Sequence, residues 1–283
     1  MPIKHILSIN DLTKKECKEL VKGRWKKSSG NAVLLFELPS TRTKTSFELG
    51  LKEMGMKTSY LNTQTTQITR GETIEDTARV LSSYANVIIA RMKEHDTLTR
   101  FSRASESPVI NALSNLEHPT QAINDFYTID KTVDLRSAKI VWVGDGTNVC
   151  NSIILLAKKL NVKLKVATPK KYKPAYECNW TEDPKEAVEE ANVIMTDAWV
   201  SMGQHKHAKQ KIKALKRYQI NSKLVKNACQ DWFFMHCLPA HREQEVTKEI
   251  IDGKRSLVWK QAKNKKLTAK AVVSLALKKT KGL

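Results

Sequence analysis

The chain has 283 residues, with 49 Lys+Arg against 29 Asp+Glu and a formal net charge of +20, a length that suits one large or two ordinary domains and a balance that favours anionic partners. Nucleic acid is not expected among them, because the densest basic runs, 206–217 and 260–270, carry no interleaved Phe, Tyr or Trp on which bases would stack. No apolar run approaches membrane-spanning length, so no membrane partner is expected either.

Thr13-Lys14-Lys15-Glu16 is a capping box, and the helix after it carries Cys17, Leu20 and Val21 on one side. Ala32 to Phe36 is a short apolar run bounded by polar residues and reads as a buried strand. Pro39 ends it, and Ser40-Thr41-Arg42-Thr43 open an amphipathic helix that runs to Met54. A strand, a hydroxyl-rich turn and a helix N-terminus form an anion site: free backbone N–H groups and the helix dipole face the anion, and Arg42 adds a charged fork. Phosphate suits that site, although the same run also reads as a plain helix cap. A strand at Thr58–Leu61, a polar loop over 62–71, a helix over Thr73–Ser83 and a strand at Val87–Ala90 ending in Arg91 follow. A fourth strand lies at Pro108–Ile110, and His118-Pro119-Thr120-Gln121 opens a helix to about Tyr127.

A second unit begins near Lys139. Ile140–Val143 is a buried strand, Gly144-Asp145-Gly146 a turn, Asn151–Leu160 a helix and Leu164–Val166 a strand. Val193–Met195 and Phe233–Met235 repeat the strand pattern, and Lys266–Lys279 has helical spacing. Strands alternating with helices predict an α/β fold, two doubly wound parallel-sheet domains with a cleft between them. The expected division is 1–130, with 266–283 packing back on it, and 131–265. Ligands of open α/β sheets gather beyond the carboxyl ends of the strands. The polar groups Ser40–Thr43, Arg91, Gly144–Asn148, Asp197 and Cys237 stand at those ends. Gly144-Asp145-Gly146-Thr147-Asn148 lacks the third glycine of a dinucleotide fingerprint. The cysteines, Cys17, Cys150, Cys178, Cys229 and Cys237, are odd in number and include no C-x-x-C pair, which argues against a disulfide framework or zinc ribbon and for a reduced, cytoplasmic setting.

Taken in order, Ser40-Thr41-Arg42-Thr43, Arg91, His118-Pro119-Thr120-Gln121, Asp197 with Ser201-Met202-Gly203, and His236-Cys237-Leu238-Pro239 resemble the aspartate/ornithine carbamoyltransferase family, the last two motifs its ornithine branch. The resemblance spans nearly the whole chain. It implies carbamoyl transfer from carbamoyl phosphate to the side-chain amine of L-ornithine, giving L-citrulline and phosphate, with no cofactor and no metal. By the same resemblance Ser40, Thr41, Arg42 and Thr43 hold the phosphate, and Gln67 reaches the phosphate of a neighbouring subunit in a homotrimer or a multiple of trimers. Arg91, His118 and Thr43 contact the carbamoyl oxygen, and Gln121 contacts the carbamoyl nitrogen. Asn148, Asp197, Ser201 and Met202 hold the amino-acid end of ornithine. Cys237 and Leu238 stand near the reacting amine, and the Leu238–Pro239 bond is cis.

Two positions depart from the pattern. The family has an arginine in a Glu-Asn-Arg run just before the last helix, where this chain has Lys263-Asn264-Lys265. Lys265 then joins Arg91, His118 and Cys237 as an expected catalytic residue, with the charge of the arginine but not its planar fork. Lys44 likewise stands where arginine is usual, and the segment between Tyr172 and Trp180 is short.

Overall fold

The computed structural model describes residues 3–200 and 208–278. It divides into two compact units, one running to Tyr127 and resuming at Asn264, the other covering Thr128–Lys263.

In the first unit α1 (Lys14–Val21) is followed by β1 (Asn31–Phe36), α2 (Thr41–Met54), β2 (Lys57–Asn62), α3 (Ile74–Tyr84), β3 (Val87–Arg91), α4 (His95–Ala104), β4 (Val109–Leu113) and the start of α5 (Pro119–Asp130). The sheet is wholly parallel, in the order β2-β1-β3-β4. β1 and β3 are buried along almost their whole length, as the continuous apolar runs require of central parallel strands. Their side chains, with Ala78 of α3 and Leu98 and Phe101 of α4, form the core of this unit. Helix starts follow local chemistry. Thr13 and Glu16 form the reciprocal capping box, and Ser40 and Thr73 accept from Thr43 N and Asp76 N.

In the second unit β5 (Lys139–Val143), α6 (Asn148–Leu160), β6 (Lys163–Ala167), β7 (Trp180–Thr181), α7 (Pro184–Val188), β8 (Val193–Thr196), α8 (Ala208–Leu215), β9 (Phe233–His236), α9 (Lys248–Ile251) and the start of α10 (Val258–Ala276) follow in order. This sheet is also wholly parallel, in the order β7-β6-β5-β8-β9. Val141, Val143, Ile194 and Phe234 from its strands pack with Trp199 and Tyr218 in one core. Each fully buried aliphatic or aromatic side chain of this kind contributes about 1.5–3 kcal/mol relative to exposure.

The structure departs from the sequence expectation in several places, among them α7, α8 and α9, which were not expected. α4 was not expected, because only Leu98, Phe101 and Ser102 of its ten residues are buried and its first turn is polar. Asp96 in the first turn and Arg103 in the last complement its dipole instead. β7 is a two-residue edge strand too short for a periodic signal. The last helix starts at Val258, not near Lys266, so Lys265 lies inside α10 and not ahead of it.

Candidate active site

Strand order decides where ligands collect. In the first unit the chain leaves β1 toward β2 on one side and then crosses to β3 on the other, so the order reverses between β1 and β3. The second unit reverses in the same way between β5 and β8. At such a reversal the loops leaving two neighbouring strands part, which opens a crevice at their carboxyl ends. Of the groups expected from sequence, Ser40–Thr43 and Arg91 follow the strands of the first reversal and Asn148 and Asp197 those of the second.

At the first, Phe36 of β1 pairs in register with Arg91 of β3, and Glu37 N donates to Arg91 O at 2.8 Å. Ser40 is the N-cap of α2, its Oγ accepting from Thr43 N at 3.2 Å, and Thr43 is buried. Arg91 is only 5% exposed and its Nε donates to Leu38 O at 3.1 Å, which fixes the guanidinium beside the Pro39–Ser40 turn. Arg42 is half-buried in the first turn of α2, while Lys44 lies over the Tyr60 ring, 3.9 Å from its centroid. Gln67 is exposed on a short turn between β2 and α3.

His118, at the N-terminus of α5, is 4% exposed, and Thr120 Oγ1 lies 3.3 Å from its Nδ1. The turn beneath it is braced from inside. Ser114 N donates to Glu117 O at 2.9 Å, and the fully buried Glu117 carboxylate accepts from Ser8 Oγ at 2.5 Å and Ile9 N at 3.2 Å. Burial first, then the charges of Lys265 and Arg91, hold the His118 pKa well below the usual histidine value. His118 is therefore a neutral imidazole near pH 7, a polarising N–H donor and not a cation.

Lys265 is 6% exposed, and its ammonium donates to Gln121 Oε1. α10 is held to α2 just beyond that residue: Lys266 and Lys270 both reach Glu53, whose carboxyl they hold down to about 2. Thr268 Oγ1 lies 3.2 Å from Asn124 Oδ1, tying α10 to α5. Arg91, His118, Gln121 and Lys265 thus share one buried, positively charged region of the first unit.

At the second reversal, Thr147 caps α6, so Asn148 is the first residue of that helix. Thr147 Oγ1 lies 3.4 Å from Asp197 Oδ2, which joins the loop after β5 to the loop after β8. Asp145, nearly buried, forms an ion pair of 2.5 Å with Lys211 of α8, and burial pushes its carboxyl up despite that partner. Cys237, just past β9, donates its thiol to Asp197 Oδ1 at 3.1 Å. The Leu238–Pro239 bond is cis. Ser201 and Met202 lie outside the described residues.

The first unit therefore presents buried cations, a neutral imidazole and a capped helix N-terminus, a set suited to an anion with a polarisable carbonyl. The second presents a carboxylate, a helix-terminal amide and a thiol, a set suited to an amine. Residues 4–131 match the family description "aspartate/ornithine carbamoyltransferase, carbamoyl-P binding domain", and residues 136–276 match "aspartate/ornithine carbamoyltransferase, Asp/Orn binding domain". The chain belongs to the aspartate/ornithine carbamoyltransferase family. It is 43% identical over 296 residues to the ornithine carbamoyltransferase of Archaeoglobus fulgidus, covering 96% of each chain. It is also 43% identical over 260 residues to the anabolic ornithine carbamoyltransferase of Pyrococcus furiosus, covering 86% of this chain and 82% of that one. The solved structure of ornithine carbamoyltransferase from Pyrococcus furiosus superposes with a TM-score of 0.91 at 38% identity, covering 98% of both chains. That of the anabolic enzyme from Campylobacter jejuni superposes with a TM-score of 0.92 at 34% identity, covering 97% of this chain and 99% of that one.

Within this member of the family, several site neighbours carried no motif signal. Glu117 beneath His118, Asp125 beside Gln121, and Glu245 beside His236 are all fully buried. His236 Nδ1 accepts from Leu238 N at 2.8 Å, so its proton sits on Nε2, which faces Glu245 Oε1 at 3.3 Å. Glu245 Oε1 also accepts from His241 N at 2.5 Å. The one cue in the sequence was spacing: Asp125 follows Gln121 at i+4 on α5. Among the described residues, Asp197, His236 and Cys237 form a cluster with metal-ligand spacing, their donor atoms within 4.8 Å of one another. His236 Nδ1 accepts from Leu238 N and the Cys237 thiol donates to Asp197, contacts that brace the loop after β9, while His236 Nε2 is buried without a hydrogen-bond partner among the described residues.

Proposed function

We propose that this chain transfers the carbamoyl group of carbamoyl phosphate to the side-chain amine of L-ornithine, giving L-citrulline and phosphate. The observation that carries the reading is the buried set of Arg91, Lys265 and a neutral His118 in the first unit, with Asp197, Asn148 and Cys237 beyond the strand ends of the second. Ser40, Thr41, Arg42 and Thr43 bind the phosphate through the N-terminus of α2. Arg91, His118 and Lys265 stabilise the negative charge that grows on the carbamoyl oxygen as the amine adds, and Gln121 receives the carbamoyl nitrogen. His118 acts as an N–H donor, since burial first and then the neighbouring cations keep it neutral. Asp197 pairs with the α-ammonium of ornithine and Asn148 with its carboxylate. Cys237 and Leu238 orient the uncharged side-chain amine toward the carbamoyl carbon. Collapse of the tetrahedral adduct breaks the C–O bond and expels phosphate, which takes up the proton that the attacking nitrogen loses and is stabilised by the α2 N-terminus and Arg42 as it leaves.

The carbamoyl phosphate domain in this reading comprises 1–130 with 266–283, and the ornithine domain 131–265. The assembly is a homotrimer or a multiple of trimers, with Gln67 completing a neighbour's phosphate site, a role that its exposure on a turn supports. The setting is the cytoplasm, a reading supported by the free cysteines; no described helix is long and apolar enough to cross a membrane. Steady-state turnover of carbamoyl phosphate with a panel of amines tests the reaction. Ornithine is expected to lead the panel; preference for putrescine, or no turnover with any amine, refutes the assignment. Sedimentation of the enzyme at assay concentration tests assembly, and a fully active monomer removes Gln67 from the site.

A further inference from the structure

Gln121 is 2% exposed and lies between two buried groups of opposite hydrogen-bonding character. Its Nε2 donates to Asp125 Oδ1 at 2.7 Å, one turn further along α5. Its Oε1 accepts from the Lys265 ammonium. Asp125 is fully buried and Lys265 6% exposed, so water does not stand in for either partner. A side-chain amide has two faces of nearly equal shape, and its orientation is set by its neighbours. Here the choice is forced, because carboxylate oxygens accept and an ammonium only donates. Turning the amide over would set NH2 against NH3⁺ and oxygen against carboxylate, two mismatched contacts in a buried place.

The oxygen end is the one that faces the site. Lys265, its partner, is also one of the two cations acting on His118, whereas Asp125 lies on the far side of the amide along α5. A carbonyl oxygen has two lone pairs, so Oε1 keeps its bond to Lys265 and accepts one more proton. We propose that Asp125 is a positioning residue for carbamoyl recognition. Through Gln121 it holds an acceptor, never a donor, toward the substrate, and so selects an acyl phosphate bearing NH2 over one bearing CH3. The inference rests on the activity proposed above. It adds the group that makes Gln121 read the carbamoyl nitrogen, and a reason for Lys265 to be a pure donor at that position.

The test uses carbamoyl phosphate and acetyl phosphate, which differ in that one group. Dissociation constants for both are measured by calorimetry on the wild type, Asp125→Leu and Asp125→Asn. In Asp125→Leu the preference for carbamoyl phosphate is expected to fall by about tenfold, with acetyl phosphate binding changed by less than about twofold and the KM for ornithine unmoved. Asp125→Asn, whose side-chain oxygen still accepts, retains the preference within about threefold. A folded Asp125→Leu with the wild-type preference, or with equal losses for both phosphates, overturns the proposal. A wild-type measurement decides the case if Asp125→Leu does not fold. The Gln121 side-chain NH2 resonance, identified by its loss in Gln121→Leu, is expected to exchange slowly with water in the free protein; exchange at the rate of an exposed amide overturns the lock. Wild type that neither binds nor turns over carbamoyl phosphate refutes the activity instead, and the exchange measurement, which needs no ligand, still reads the lock by itself.

Discussion

Replacing Lys265 by methionine removes one buried charge while keeping the length of the side chain. In the free protein that charge stands with Arg91 against His118, two cations that both press the imidazole toward its neutral form. Losing one of them relieves repulsion on His118, but it also leaves the buried Gln121 Oε1 without its donor, which costs about 1–3 kcal/mol. The melting temperature of Lys265→Met is therefore expected to hold or fall slightly. Catalysis is expected to fall further. A hydrogen bond from a charged donor is worth about 1.5–3 kcal/mol, and here it acts where negative charge develops, so kcat/KM for carbamoyl phosphate should fall roughly ten- to a hundredfold. A second readout separates this from general damage. His118 in the variant loses one of the causes of its depression, so the acid limb of the pH profile moves up toward 6.5 as the imidazole becomes easier to protonate. Lys265→Arg keeps the charge and adds the second prong, and should equal or exceed the wild type. Unchanged kcat/KM together with an unmoved acid limb in Lys265→Met would refute the placement of this residue at the reacting group.

The neutral state of His118 also links folding to pH: its folded pKa lies below the unfolded value near 6.5, so the unfolded chain takes up a proton that the folded chain refuses, and stability falls as pH drops below about 6.5, by up to ~1.4 kcal/mol per pH unit. Urea unfolding of His118→Asn at pH 7 and pH 5 should show a shallower loss than wild type, with a residue left by His5, whose pKa burial also lowers; an identical slope counts against it. Glu245→Leu strips the acceptor from His241 N–H and should cost roughly 1–3 kcal/mol for the donor left unsatisfied, read as a fall in the urea midpoint; a midpoint unchanged within error removes the brace. Asn148→Ala should lower kcat/KM for ornithine more than any turnover of putrescine, which lacks the carboxylate, while Asp197→Ala should lower both; equal losses in the first variant mean that Asn148 does not read the amino-acid end. Arg42→Ala should weaken carbamoyl phosphate by about tenfold or more and leave ornithine binding intact, and a calorimetric titration with unchanged affinity takes Arg42 out of the phosphate site.

What was legible in the sequence is what local chemistry decides. The strands at β1, β3, β5 and β8 are continuous apolar runs, and the helix starts at Thr13, Ser40 and Thr73 are written in hydroxyl side chains that cap three residues ahead. Those signals need no partner elsewhere in the chain. α4 escaped because its buried stripe is only three residues, and α10 began earlier than expected because Val258–Asn264 mixes lysines with few apolar residues. The supporting groups of the site escaped for a different reason. Glu117, Asp125 and Glu245 are acids, and an acid read in isolation belongs on the surface; each is buried because particular donors, from Ser8, Gln121 and His241, arrive there only in the folded chain.

The same distinction explains how a lysine came to stand where an arginine is usual. From the sequence, Lys265 differs from its neighbours Lys263 and Lys266 only by alignment, and three lysines in a basic run read as a solvated face. In the fold Lys263 is exposed and Lys266 pairs with Glu53, while Lys265 turns inward to Gln121. What sets them apart is the rotation of α10, and that rotation is fixed by contacts on its other faces. Glu53 draws Lys266 and Lys270 toward α2, and Gly50 permits the approach, since a Cβ there would stand 3.0 Å from Lys266 O. A glycine and a glutamate on the second helix therefore decide which lysine on the last helix enters the site. Gly50→Val should push α10 away from α2 and lower kcat/KM for carbamoyl phosphate with Lys265 itself unchanged, whereas Glu53→Gln, whose one side-chain oxygen still accepts from one of the two ammonium groups, should cost less. If Gly50→Val lowers the melting temperature but leaves kcat/KM at the wild-type value, the seating of α10 on α2 is not what sets the activity proposed for Lys265.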